Sequence, residues 1–118
     1  MEPKEFDIEF PRGDTPPLKF NLLDKNKQLI ELKEQDELYF TVKKSYGTSE
    51  VVFQKRYSTG DIQKANDGYK VFIQHIDTAN LNYGTYVFDI SIKSGDYVAT
   101  LAIGTLTLTN EVTHISNE

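Results

Sequence analysis

Residues 81 to 92 read Leu81-Asn82-Tyr83-Gly84-Thr85-Tyr86-Val87-Phe88-Asp89-Ile90-Ser91-Ile92. Tyr86, Phe88, Ile90 and Ile92 alternate with Thr85, Val87, Asp89 and Ser91. That is the two-residue period of a strand with one apolar and one solvated face. Just ahead, Leu81, Gly84 and Tyr86 form an L-x-x-G-x-Y run. The leucine can plug a core, the glycine permits a bend, and the phenol can reach backbone nearby. This is the make-up of a tyrosine corner, a device of immunoglobulin-like sandwiches. An ordinary hairpin arm that contains Tyr is the competing reading. Either way the stretch is a central strand of an all-β domain.

The rest of the chain repeats the period. Phe6, Ile8 and Phe10 alternate with Asp7 and Glu9, and Pro11-Arg12-Gly13-Asp14-Thr15-Pro16-Pro17 ends that strand as a turn or crossover. Leu18, Phe20 and Leu22 make a second strand, Asp24 to Lys27 a polar turn, and Gln28 to Leu32 a short return arm. Leu38, Phe40 and Val42 face inward from the next strand, and Val51 and Phe53 from the one after. Ile62 to Ala65 reads as one helical turn, and Asn66-Asp67-Gly68 as a tight turn. Tyr69, Val71 and Ile73 form a strand, and Ser94-Gly95-Asp96 closes the last hairpin. In the final strand Leu101 and Ile103 are out of phase with Leu106 and Leu108, which predicts a β-bulge at Gly104. Thr109 to Glu118 reads as a polar, frayed tail. Seven to eight short strands at such spacing predict one antiparallel, immunoglobulin-like β-sandwich over residues 1–118.

Composition narrows the function classes. The 118 residues carry 18 acidic and 13 basic side chains, a net charge of −5, and no cysteine. Disulfides, thiol chemistry and thiolate metal sites are therefore excluded. The basic residues are scattered, with Lys43-Lys44 the longest run, against a nucleic-acid partner or an anionic membrane surface. No apolar run approaches the roughly 20 residues of a membrane span. Met1 to Glu5 is charged and lacks the apolar core of a signal peptide, so synthesis in the cytoplasm is expected.

Nothing assembles a catalytic constellation. The histidines are His75 and His114, with no nucleophile elbow nearby and too few ligands for zinc. Asp36 and Glu37 are adjacent, so on a strand they diverge instead of pairing for glycoside hydrolysis. Arg12-Gly13-Asp14 matches an integrin-binding tripeptide but reads as turn chemistry. Asp24, Asp61, Asp67, Asp77 and Asp96 sit in turns without the pattern of a calcium loop. Tyr46, Tyr57, Tyr83 and Tyr97 fall at loops or strand ends, where an aromatic platform for sugar is the alternative to capping the core rims. Tyr39 and Val87 point outward on neighbouring strands, and Phe72 points outward on the other sheet.

The order and spacing of several pieces resemble a known family. They are Phe6-Asp7-Ile8, Gly13-Asp14-Thr15, and Asp36 ahead of Leu38 to Lys43. Asp77-Thr78 with Leu81, then Gly84-Thr85-Tyr86-Val87-Phe88-Asp89-Ile90, Gly104 and Val112-Thr113 complete the set. Together they resemble the N-terminal β-sandwich domain of baseplate upper proteins from phages of Gram-positive bacteria, and small prophage proteins built on it. The resemblance implies a non-catalytic building block of the phage tail that docks to other tail proteins and ends up in the virion. It implies no enzyme activity; no cofactor or metal is expected, and the scattered charge already speaks against a nucleic-acid or membrane partner. With the outward Tyr39 and Val87 it leads to an expected homo-oligomer. A small carbohydrate-binding or adhesion module is the alternative.

Overall fold

The computed structural model describes residues 4–24 and 26–110. Among these residues eight strands and one short helix follow in order: β1 (Lys4–Pro11), β2 (Pro17–Phe20), β3 (Glu37–Lys43), β4 (Phe53–Arg56), β5 (Ile62–Ala65), β6 (Gly68–Phe72), α1 (His75–Thr78), β7 (Gly84–Ser94) and β8 (Tyr97–Thr109). One sheet has the order β1-β8-β7-β3-β4 and the other β2-β6-β5. The protein is an all-β sandwich, as the spacing of its apolar pairs predicts. One pairing departs from an antiparallel plan: β1 runs parallel to β8, with Phe6 beside Gly104 and Phe10 beside Leu108. The remaining strand pairs are antiparallel.

The core lies where the two inner faces interdigitate. Phe20 of β2 is 2% exposed. Its ring centroid lies 5.0 Å from Phe6, 5.9 Å from Phe40 and 5.8 Å from Phe88, all three on the larger sheet. Tilted and edge-on ring pairs at such distances add to the burial of the rings themselves. Leu38, Val42, Ile90, Leu106 and Leu108 extend this layer along β3, β7 and β8.

The corner between β6 and β7 forms as its sequence predicts. The Tyr86 hydroxyl donates to the carbonyl of Asn82 at 2.8 Å. Gly84 has φ +133°, a backbone angle that a side chain disfavours. Leu81 is partly buried against the core.

Five readings need correction. Ile62 to Ala65 is a strand, β5, because the Asn66-Asp67 turn folds it onto β6 and seats Ile62 in the core. The bulge in β8 is at Leu101, since Ile90 pairs with Ala102 and Ser91 with Thr100. Leu101 and Ala102 are consequently both buried, and Ile103 turns to the outer face. Val51 precedes β4 and is 49% exposed; the inward residue beside Phe40 is Lys55. Gln28 to Leu32 forms no strand: a lone bridge pairs Leu29 with Leu23, and the Tyr69 hydroxyl holds the Ile30 carbonyl. Thr109 belongs to β8, where its carbonyl accepts from the Arg12 amide at 3.0 Å. The rest of the expected tail, with His114 and Val112-Thr113, lies outside the described residues apart from Asn110.

Candidate functional site

The strand period that sends Phe40, Phe88 and Leu106 inward sends their neighbours to the outer face of the five-stranded sheet. Strand register then sets which of these outward residues share a rung. One rung reads Asp7, Thr105, Val87, Lys43 across β1, β8, β7 and β3. The next reads Glu5, Ile103, Asp89, Thr41, Gln54 across all five strands. A third holds Ser91, Tyr39 and Arg56.

Tyr39 and Val87 do share this face, while Phe72 lies on the other sheet. They do not form one apolar patch. Tyr39 is opposite Ser91 and Val87 opposite Lys43, four positions apart. The rung of Thr41 and Asp89 lies between them. Val87 is half-buried, and the loop residue Tyr46 lines a narrow crevice with it. Tyr46 is 60% exposed, and its hydroxyl donates to the carbonyl of Gly104 on β8 at 3.1 Å.

A shallow groove of about 320 Å³ runs beside Asp89, lined by Tyr39, Thr41, Lys43, Gln54 and Ser91 among others. Burial pushes the Asp89 carboxyl above its usual range, against the opposing pull of Lys43 and a hydrogen bond from Ser91. The groove walls are held in place by their neighbours. The Gln54 amide donates to the Thr41 hydroxyl at 2.9 Å. The Arg56 guanidinium sits over the Tyr39 ring at 5.2 Å. Such a surface presents hydrogen-bond donors, acceptors, one ring and charges of both signs. It has the means to recognise a surface.

The other candidates are dispersed or engaged. Arg12 donates to the Leu81 carbonyl at 3.1 Å and lies over the Tyr83 ring at 4.2 Å. The Gly13 amide donates to the Thr78 hydroxyl at 2.8 Å, and the Gly13 carbonyl is 2.8 Å from His75 Nδ1. The Arg-Gly-Asp tripeptide is thus a stitch between the β1–β2 loop and the β6–β7 corner. Its Asp14 and His75 line an open depression of about 580 Å³. Asp36 accepts from the Lys33 amide, and Glu37 from the amides of Leu38 and Ser58. Backbone amides engage one oxygen of each carboxylate. Tyr83 and Tyr97 stand at opposite ends of β7, and Tyr57 packs edge-on against Tyr69 at 6.3 Å. The four tyrosines do not share a face. Among the described residues, no group of three or more His, Asp or Glu is placed to hold a metal ion, and no helix is long and apolar enough to cross a membrane.

Sequence reasoning missed the ion pair of Lys55 and Asp77, 2.6 Å long with side chains 6% and 13% exposed. A signal was available: Lys55 shares the alternation of Phe53, so a cation was due to point inward and need a partner. No protein family, curated protein or solved structure matches the chain.

Proposed function

We propose that the chain is a non-catalytic assembly module acting through protein–protein contacts, set in the tail or baseplate of a phage or prophage. The observation that supports assembly is the make-up of the outer face of the larger sheet. Tyr39, Tyr46 and Arg56 stand on it around the half-buried Asp89. Tyrosine and arginine are the residue types that most often anchor protein interfaces. Only the order and spacing of the pieces that carry the resemblance, from Phe6-Asp7-Ile8 to Val112-Thr113, support the phage setting. On this reading the partners are other tail proteins, the final location is the virion, and His75 serves the loop stitch and not chemistry.

Mass spectrometry of density-gradient-purified phage particles from the encoding host tests the proposal. The chain is expected in the particle fraction, and its absence there overturns the phage setting. His75→Ala and His114→Ala are expected to leave incorporation unchanged. Hydrolysis of peptidoglycan or glycan by the purified protein, lost in either variant, overturns the non-catalytic reading. Specific binding on a glycan array replaces assembly with the carbohydrate-binding alternative.

A further inference from the structure

Among the described residues the five-stranded sheet ends in two open edges, β1 and β4. The Tyr57 N–H donates to the Leu38 carbonyl on β3, so alternation turns the N–H and C=O of Gln54 and Arg56 to the open side. The Arg12 N–H donates to the Thr109 carbonyl on β8, so those of Glu5, Asp7 and Glu9 face the open side of β1. The same residues carry the side chains of the outer face. One edge therefore shows three exposed carboxylates, and the other the exposed Gln54 and Arg56. Through β8, β7 and β3, the pairings leave β4 antiparallel to β1.

We propose that β1 of one copy of the chain adds to β4 of a second copy, joining the five-stranded sheets head to tail. The joint rests on the reading of the chain as an assembly module and names its partner.

A copy shifted sideways keeps its outer face outward and lays its β1 antiparallel to β4, the more stable kind of strand pair. Arg56 opposite Asp7 places Gln54 opposite Glu9, with two backbone hydrogen bonds in each pair. The guanidinium then has Asp7 straight across and Glu5 and Glu9 on the diagonals. The Thr105 hydroxyl donates to Asp7 Oδ1, and Oδ2 remains for Arg56. The Arg56 carbonyl accepts from the Thr59 hydroxyl at 3.1 Å and keeps a second lone pair for the Asp7 amide. On the inner face, Tyr57 comes beside Phe6, and Lys55, held by Asp77, beside Ile8. Phe6, Ile8, Phe53 and Tyr57 are half-buried at the two ends of the core, and the joint covers them.

Neither edge suits its own copy as well. β1 against β1 sets carboxylate opposite carboxylate, which is destabilising. β4 against β4 offers Arg56 no carboxylate. The joint is thus heterologous, and it closes into a ring or runs on as a filament according to the twist between copies. With only four residues in β4, each joint is weak in free solution and gains from being tethered in a larger assembly.

Sedimentation and light scattering over a concentration series test the joint. The parent is expected to pass beyond the mass of a dimer as concentration rises. Asp7→Pro removes an open-edge N–H and leaves the β8 ladder intact. Arg56→Glu sets a carboxylate among Glu5, Asp7 and Glu9. Each is expected to weaken association about tenfold or more. Mixed in equal amounts, they are expected to form a dimer of one copy of each and nothing larger, because each supplies the edge that the other lacks. A tag on one variant reads the composition. Should one fail to fold by circular dichroism, Glu9→Pro replaces the first and Gln54→Pro the second, since their N–H groups lie on the same open edges. A parent that stays monomeric overturns the joint, as does one that stops at a dimer. Variants that assemble like the parent, or a mixture that stays monomeric, overturn it too. Detection in purified particles is read separately. A monomeric parent present in them defeats the joint and leaves assembly standing, whereas a self-associating parent absent from them defeats the phage setting and leaves the joint standing.

Discussion

The carbonyl of Phe6 occupies the place where a side chain of residue 104 would begin, which lets β1 lie close against β8. A Cβ on Gly104 would also meet Phe88 Cε2 at 2.9 Å. Close approach, not backbone angle, is what this glycine provides. Gly104→Ala must push β1 away or displace the Phe88 ring from the aromatic layer, an overpacking cost of about 3 kcal/mol. A urea midpoint equal to the parent's would show that the two strands do not approach this closely.

The tyrosine corner separates two costs. In Tyr86→Phe the carbonyl of Asn82 loses its donor, a loss of about 1 kcal/mol or somewhat more. At Gly84 nothing lies within 4 Å of an added Cβ, so a substitution there is penalised by backbone angle alone. Gly84→Val is expected to cost more than Gly84→Ala, because β-branched residues tolerate positive φ least. Thermal melts of the three variants check the order; an unchanged Tyr86→Phe removes the corner.

The pieces legible in the sequence were those governed by a single local rule. Alternation placed Phe40, Phe88 and Ile90 in the core, and L-x-x-G-x-Y placed the corner. Asn66-Asp67 was legible as a turn, yet β5 before it was not. Its four residues carry no period of their own and become a strand only because β6 is there to pair with. The bulge was inferred correctly from the phase change in β8 but assigned to Gly104, the residue with the least side chain. The chain takes up the extra residue at Leu101, and Gly104 instead admits the β1 backbone. Parallel pairing of β1 with β8 depends on residues about a hundred positions apart, and no local pattern encodes it. On the outer face, Tyr39 and Val87 were legible as outward. The distance between them follows from strand register, which alternation leaves free in steps of two.

Lys55 and Asp77 tie β4 to α1 out of water, and Asp77 also accepts the Gln74 amide at 2.8 Å. Asp77→Ala strands the lysine charge and loses the cap, an expected loss of about 3–5 kcal/mol. Lys55→Met keeps the packing of the stem and leaves Asp77 its backbone partner, so it is expected to cost less. Denaturant titrations of the two single variants and the double variant give the coupling. Strictly additive costs would mean that the two groups do not interact.

The half-buried Asp89 gives the last expectation, a pH dependence of defined sign. Burial raises its carboxyl in the folded state above the ordinary value of 3.8, against Lys43 and Ser91, which lower it. A folded-state value above the unfolded one means that the group favours folding when protonated. Its contribution is fully present below the unfolded value and is lost as pH rises through the folded one. Asp36, whose carboxyl is lowered by hydrogen bonds from the Lys33 amide and Ser94, has the opposite sign. So does Asp67, lowered by its contact with Lys19. For Glu37, burial pulls upward, but hydrogen bonds from Ser58 and Leu38 outweigh it and hold the carboxyl low. Those three favour folding when ionised, and their contribution falls away as pH drops through their folded values. They are common to the parent and to Asp89→Asn, and cancel in the difference between them. The variant is therefore expected to match the parent in acid and to become the more stable of the two as pH rises toward neutrality. Urea titrations of parent and variant across the pH range isolate the effect. A difference that is flat with pH, or that grows as pH falls, would mean that Asp89 is solvated and that the groove on the outer face is open to water.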